Sequence, residues 1–156
     1  MEISIKFLLS DTRLFQTLTH EESDYVEQML VVTTRKQGTT IYKEGEHAKS
    51  VCFVAEGELD VIKKNDKGED IRIATVDKGH TVGEMGIIDG MIRSATILAK
   101  TDVTLVIFRR ADFEKIMIEK PDIAFKILHE LARSLSLALR ETSEDFANAS
   151  VAAALT

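Results

Sequence analysis

The sequence predicts a mainly β domain with flanking helices, in which eight short antiparallel strands form a sandwich or a barrel. Two observations carry this prediction. Between residues 31 and 108, short runs rich in β-branched residues alternate with turn sequences that contain glycine or aspartate. Before and after this region, apolar residues recur at the intervals of an α-helix. A chain of 156 residues, 44% of them hydrophobic, can bury one core, so we expect a single domain over residues 1–156.

The N-terminal part is predicted to be helical over about residues 11–30. Thr19 and Glu22 have the spacing of a capping box, and apolar residues follow them at helical intervals, which indicates a helix over about residues 20–30. The preceding Leu14–Leu18 segment would pack this helix onto the domain. The first nine residues mix apolar and polar side chains, and we expect them to be ordered.

The strand region covers about residues 31–108. Each predicted strand is a short run bounded by turn sequences, and all eight glycines fall within this region, where turns need them. The predicted strands are Val31–Thr34, Thr39–Tyr42, Val51–Ala55, Leu59–Lys63, Ile71–Val76, Thr81–Gly83, Ala95–Ala99 and Val103–Phe108.

The apolar spacing becomes helical again over about residues 110–145. A short helix is expected around residues 112–117, and Pro121 is placed to start a second helix that extends to at least Arg140. Residues 147–156 are mostly small and are expected to fray.

The second of these helices has apolar residues on more than one stripe, so it needs two surfaces to pack against. One surface is its own domain, and the other is most simply a second copy of the chain. The predicted homodimer seam consists of Leu128, Leu131, Leu135 and Ala138. A helix folded entirely onto its own domain is the alternative.

The segment from Gly83 to Thr96 combines residue types suited to a phosphorylated nucleoside. The carboxylate of Glu84 can accept hydrogen bonds from sugar hydroxyls. The guanidinium of Arg93 can bind two phosphate oxygens at once. Small residues between them would let backbone N–H groups approach an anion, and a short helical turn starting near Gly86 would direct its free amides towards it. The pattern therefore predicts a nucleotide-binding loop.

This segment resembles the phosphate-binding cassette of cyclic-nucleotide-binding domains, which runs Gly-Glu, a few apolar or small residues, then Arg-Ala/Ser/Thr-Ala-Thr/Ser. The family includes catabolite activator proteins and the regulatory subunits of cyclic-AMP-dependent protein kinase. The resemblance implies an eight-stranded antiparallel jelly-roll barrel, an N-terminal helix, a short helical cassette between strands six and seven, and a long C-terminal helix.

The resemblance also implies roles for the cassette residues. The ribose would be bound by Gly83 and Glu84, and the phosphate by Arg93, Ser94, Ala95 and Met85. Ile92 stands where kinase-type cassettes often have proline, a change expected to loosen the loop without removing a ligand contact.

The base would be held by apolar packing between the strands and the C-terminal helix. Where catabolite activator proteins place hydroxyl groups against adenine, this helix has Ala138 and Leu139. Apolar contacts discriminate weakly between purines, so cyclic AMP is favoured on family prevalence alone and cyclic GMP stays open. The expected base contacts are Val61, Ile73, Val82, Leu135 and Leu139.

The resemblance implies a non-catalytic sensor in which the ligand moves the C-terminal helix. Four histidines without ligand spacing and serines without a paired base give no support for a metal site or for catalysis. A dimerising interaction module that needs no ligand is one alternative. A fragment of a cyclic-AMP-responsive transcription regulator is another.

Composition narrows the expected partners. Twenty basic and 26 acidic residues give a net charge of −6, which opposes nucleic-acid binding, and the sixteen residues after Arg140 are too few for a helix-turn-helix. No apolar run approaches the roughly 20 residues that would span a membrane. The single cysteine, Cys52, lies among apolar residues, so we expect it to be buried in the core. One cysteine cannot form an internal disulfide, which favours a cytoplasmic protein.

Overall fold

The computed structural model describes residues 4–6 and 12–155, so the expectation of an ordered segment over residues 1–9 lies largely outside the described residues. Eight strands are flanked by helices, as the sequence predicts. The elements are α1 (Arg13–Gln16), α2 (His20–Glu27), β1 (Val31–Arg35), β2 (Thr40–Tyr42), β3 (Ser50–Glu56), β4 (Leu59–Lys64), β5 (Asp70–Val76), β6 (Thr81–Val82), α3 (Glu84–Asp89), β7 (Thr96–Ala99), β8 (Val103–Arg109), α4 (Arg110–Glu119) and α5 (Pro121–Leu155).

The strands form two four-stranded antiparallel sheets, with the orders β1-β8-β3-β6 and β2-β7-β4-β5. In the first sheet Phe53 pairs with Val106, and in the second Asp60 pairs with Leu98. This is the arrangement of a double-sheet jelly roll, and the expectation of a closed barrel is wrong. The edge strands β2 and β6 have only three and two residues, too few to continue hydrogen-bonded pairing from one sheet into the other.

Strand β3 explains why a continuous apolar run was visible in the sequence. Its residues are buried on both faces, because Cys52 and Val54 point between the sheets while Val51 and Phe53 contribute to a second core under the helices. Phe53 packs there against Phe15, with ring centres 5.3 Å apart. The first sheet is therefore covered by the second sheet on one face and by helices on the other.

Helix α2 begins as predicted. The Thr19 hydroxyl accepts a hydrogen bond from the backbone N–H of Glu22, and the Glu22 carboxylate accepts one from the backbone N–H of Thr19. This reciprocal capping box satisfies two N–H groups that a helix start otherwise leaves unpaired.

Helix α5 is longer than predicted and joins the domain through its first half. Ile123, Ile127 and Leu131 are buried in the core under the first sheet, whereas every residue from 136 to 155 is exposed. The expected fraying of residues 147–156 is wrong for 147–155, because alanine has the highest helix propensity and continues the helix to Leu155.

The predicted dimer seam also needs correction. Leu131 is fully buried against its own domain, so it cannot contribute to a surface shared with another copy.

Within the residues that the structure describes, no helix combines the length and the apolar character that a bilayer crossing requires.

Candidate functional site

The cassette connects β6 to β7, as predicted, and its first part forms α3. The helix begins at Glu84, two residues before the expected start. It packs closely on the turn before β3, because a Cβ atom placed on Gly86 would lie 2.0 Å from the Cβ of Ala48. Only glycine is small enough for this close contact, so Gly86 determines how closely α3 packs on the sandwich.

The side chain of Arg93 is buried inside the cassette, with 7% of the residue exposed. Its Nη2 donates a hydrogen bond of 2.7 Å to the Ser50 carbonyl, and its Nη1 lies 3.5 Å from the Gly83 carbonyl. The guanidinium carbon lies 3.5 Å from the centre of the Tyr42 ring. No ion pair involves Arg93 in the part of the chain that the structure describes, so its charge is buried against neutral groups.

Backbone hydrogen bonds hold Arg93 in this place. Its N–H donates to the Glu46 carbonyl at 2.7 Å, and its carbonyl accepts from the N–H of Gly45 at 2.9 Å. The carbonyl of Met91 accepts from the N–H of Ala48 at 3.1 Å. The second half of the cassette is thus tied to residues 45–48. The Asp89 carboxylate does not pair with Arg93 and instead accepts a hydrogen bond from the N–H of Met91.

Glu84 lies at the start of α3, one residue from the contact between Gly83 and Arg93. The hydroxyl of Thr81 donates a hydrogen bond to the Glu84 carboxylate. Burial raises the pKa of Glu84 above its ordinary value, and the hydrogen bond from Thr81 opposes this rise. Gly83 has a φ of 87°, and a Cβ atom on it would lie 2.5 Å from Nη1 of Arg93. A larger residue there would displace the guanidinium.

The other expected phosphate-site residues lie at the surface of the cassette. Met85 and Ser94 are exposed and Ala95 is partly buried. The Ser94 hydroxyl lies 4.0 Å from the Met85 sulfur, so the two ends of the cassette meet there. The carbonyl of Ser94 accepts a hydrogen bond from Lys63 on β4, which fixes the chain after Arg93.

A cavity of about 630 Å³ lies between the turn joining β5 to β6 and the middle of α5. This volume is within the range of small-molecule sites. Glu84 lines it, and so does Ile73 among the expected base contacts, whereas Arg93 does not. Helix α5 contributes Glu130, Ser134, Leu137, Ala138 and Thr142 to the lining.

The remaining expected base contacts lie outside the cavity lining. Val82 is buried and pairs with Cys52 in the sandwich, and Val61 packs partly buried against the same core. Leu135 is partly buried, and Leu139 is 68% exposed. Ala138 lines the cavity, but consecutive side chains on a helix point about 100° apart. Leu139 therefore lies on another face of α5.

Sequence reasoning missed Tyr42 and Ser50, which contact Arg93, and Thr81, which contacts Glu84. Their contacts come from three separate strands, and no local pattern marks them. It also missed the hydroxyls of Ser134 and Thr142, although Thr142 lies only one helical turn beyond Ala138, the position at which catabolite activator proteins are expected to contact adenine.

Cys52 lies near these groups but has no reactive character. It is fully buried, and burial raises the pKa of its thiol to about 12. Thiolate is the nucleophilic form, so this environment agrees with the expected core position.

In this jelly roll a buried arginine and a nearby carboxylate share one loop, and the carboxylate lines a cavity bordered by helix α5. The family model for the cyclic nucleotide-binding domain matches residues 32–120. The chain belongs to this family, and the resemblance stated from the cassette is confirmed.

Individual relatives agree with this assignment. A Rhodopseudomonas palustris protein described as a candidate potassium channel is 32% identical over 115 residues, which cover 73% of this chain and 27% of that protein. The cAMP-dependent protein kinase regulatory subunit of Dictyostelium discoideum is 28% identical over 129 residues, which cover 83% of this chain and 39% of that one. This chain therefore spans less than half the length of either relative.

A solved structure shares the fold along most of the chain. The crystal structure of a cyclic nucleotide-binding domain from Methylobacillus flagellatus has a TM-score of 0.82 and 26% sequence identity, and the match covers 90% of this chain and 79% of that one.

Proposed function

We propose that this chain is a sensor module that binds a cyclic purine mononucleotide at the cassette and does so without catalysing a reaction. The observation that carries the proposal is the burial of Arg93 with no carboxylate partner among the residues that the structure describes. Buried charges are normally paired, because removing an ion from water costs several kcal/mol. A phosphate ester would supply the missing charge and accept the donors of the guanidinium that remain free.

Glu84 is proposed to accept hydrogen bonds from the ribose. It lies beside the Gly83 carbonyl that contacts Arg93, so a sugar and its cyclic phosphate could reach both side chains. Gly83 would contribute backbone contacts to the sugar. Met85, Ser94 and Ala95 would line the phosphate from the cassette surface, after a shift of the cassette that uncovers Arg93.

The base is proposed to enter the cavity between β5 and α5, against Ile73. Helix α5 presents Ser134 there, which can donate or accept a hydrogen bond, and Leu137, which can cover the face of a purine. The Thr142 hydroxyl donates to the Ala138 carbonyl and can still accept a hydrogen bond from the base. We propose cyclic AMP over cyclic GMP, supported by the Dictyostelium relative, which is named for cyclic AMP.

Coupling to α5 is proposed as well, and the same cavity supports it. Glu84 and the residues of α5 line one space, and α3 also packs against α4 and α5. A ligand that contacts both sides would favour one position of α5 over another, in proportion to its difference in affinity for the two states.

A homodimer is proposed along the exposed stripe of α5. Phe125, Leu139 and Phe146 are separated by multiples of seven residues and are 68%, 68% and 74% exposed, and Leu128, three residues after Phe125, is 40% exposed. This is the spacing of a two-helix seam. The same stripe favours a second candidate function, that of an interaction module whose pairing needs no ligand.

Calorimetry on ligand-stripped protein tests these proposals. Cyclic AMP, cyclic GMP and the linear monophosphates AMP and GMP are titrated in turn. We expect saturable binding of the cyclic forms, tighter for cyclic AMP, and weak binding of the linear ones. Glu84→Gln should weaken binding, whereas Glu58→Gln, at an exposed pair with Lys100, should not.

The absence of heat with every nucleotide would reject the sensor function. Sedimentation of the same samples then decides the second candidate, since the interaction module predicts a dimer whose mass does not respond to any nucleotide.

A further inference from the structure

We propose that Tyr42 is a positioning residue for the phosphate-binding arginine, an inference that rests on the function proposed above. Tyr42 ends strand β2, far from the cassette in sequence, yet its ring lies under the Arg93 guanidinium at 3.5 Å. A guanidinium stacked on an aromatic face at this distance makes a cation–π contact, which is strongest where water is excluded.

The stack fixes the plane of the guanidinium without using its hydrogen-bond donors. The five N–H donors lie around the edge of the plane, and the ring covers a face. The Ser50 carbonyl takes one Nη2 donor at 2.7 Å, and the Gly83 carbonyl is 3.5 Å from Nη1. Nη2 also lies 3.5 Å from the Ser50 hydroxyl. The donors that these groups do not use are available for an anion. Tyr42 therefore orients the guanidinium and leaves one edge of its plane available to phosphate oxygens.

Tyr42 is itself held in place by the residue that contacts Arg93. Its hydroxyl is hydrogen-bonded to the Ser50 hydroxyl at 2.8 Å, and its ring packs against the core between the sheets. Tyr42, Ser50 and Arg93 thus form a closed set of contacts. A side chain held in its binding orientation loses less freedom when the ligand arrives, so this arrangement should increase affinity.

Affinity measurements on matched tyrosine variants test the inference. Tyr42→Leu removes the stack and should raise the Kd for cyclic AMP about tenfold. Tyr42→Phe keeps the aromatic face and should stay within about threefold of the wild type. Tyr25→Leu changes the other tyrosine, which contacts Glu119 on α4, and should leave the Kd unchanged. A purely structural role would lower the thermal stability of Tyr42→Leu without changing the Kd of the folded protein.

Tyrosine fluorescence gives a readout that does not depend on Tyr42→Leu folding. The chain has two tyrosines and no tryptophan, so Tyr25→Phe leaves Tyr42 as its single emitter. We expect cyclic AMP to change this emission, after correction for nucleotide absorbance, and to change it no longer when Arg93→Leu is added.

Two results separate the possible failures. If the wild type binds cyclic AMP while Tyr42→Leu binds as tightly or more tightly, or while Tyr42 emission does not respond, the positioning role is overturned and the proposed function stands. If the wild type binds no cyclic nucleotide, both are overturned.

Discussion

Arg93→Leu should separate ligand affinity from the stability of the ligand-free fold. The substitution removes a charge that is 7% exposed and has neutral partners, which relieves a desolvation cost. It also leaves the Ser50 carbonyl without its donor, at a cost of about 1–3 kcal/mol. These terms oppose each other, so we expect the Tm without ligand to change by no more than about 4 °C, the shift that roughly 1 kcal/mol gives in a chain of this size.

The loss of binding should be far larger. Hydrogen bonds to a charged group contribute about 1.5–3 kcal/mol each, so losing a two-bond contact with the phosphate should raise the Kd about 10²–10⁴-fold. At a hundredfold excess over its Kd, cyclic AMP should stabilise the wild type by about 2.7 kcal/mol, a Tm increase of roughly 5–11 °C. Arg93→Leu should show no increase at the same concentration.

Thermal unfolding with and without nucleotide, followed by calorimetry, measures both quantities. Arg35→Leu is the matched control, because Arg35 lies exposed on β1 and bonds to Thr34. A wild-type Tm increase in Arg93→Leu would refute the assignment of Arg93 to the phosphate. A large drop of the ligand-free Tm would instead show that Arg93 serves the fold.

Three further predictions concern the cassette and α5. Burial raises the pKa of Glu84, so from pH about 4.5 up to its folded-state pKa the native state holds a proton that the unfolded chain has released. The free energy of unfolding without ligand should therefore fall as pH rises through this interval, while affinity for the nucleotide rises. Glu84→Gln should remove both trends, as unfolding and calorimetry at a series of pH values would show. Trends that persist in the variant would exclude Glu84 as their cause. Gly83 has a φ of 87°, and Gly83→Ala places a Cβ atom 2.5 Å from Nη1 of Arg93. The substitution should lower the free energy of unfolding by about 1–3 kcal/mol and weaken nucleotide binding. Wild-type affinity in this variant would contradict the proposed position of Arg93. Leu131→Ala should cost about 2–5 kcal/mol of unfolding free energy, whereas Leu139→Ala should change it by no more than about 0.5 kcal/mol. Leu139→Ala should instead weaken self-association in sedimentation. An unweakened dimer would show that the exposed stripe of α5 is not the dimer interface.

The sequence predicted the strands to within a few residues because the signals are local. Residues 51–55 form a continuous apolar run between turns, and the strand found there is Ser50–Glu56. The presence of Glu84 and Arg93 in one loop is also a local signal, since both lie in the cassette. Their immediate partners were not, because the Ser50 carbonyl meets Arg93 only after β3 and the cassette have packed together.

Two errors have different physical origins. Barrel closure depends on which edge strands pair, and the short strand β6 carries no sequence signal that decides it. The seam predicted on α5 is wrong at Leu131 because apolar residues occupy several stripes of the helix, and their spacing alone does not say which stripe meets the core. The prediction has Leu131 on the outer stripe, but it lies on the inner one.

Because α5 is long, a small movement of the helix at the cavity would displace its far end by a larger distance. At about 1.5 Å per residue, the segment from Leu131 to Leu155 measures about 36 Å. A rigid rod pivoting near Leu131 by roughly 10° would carry its far end about 6 Å, a distance comparable to one helical turn. A shift at the cavity wall too small to disturb the core would thus be magnified into a displacement of several ångströms at Leu155.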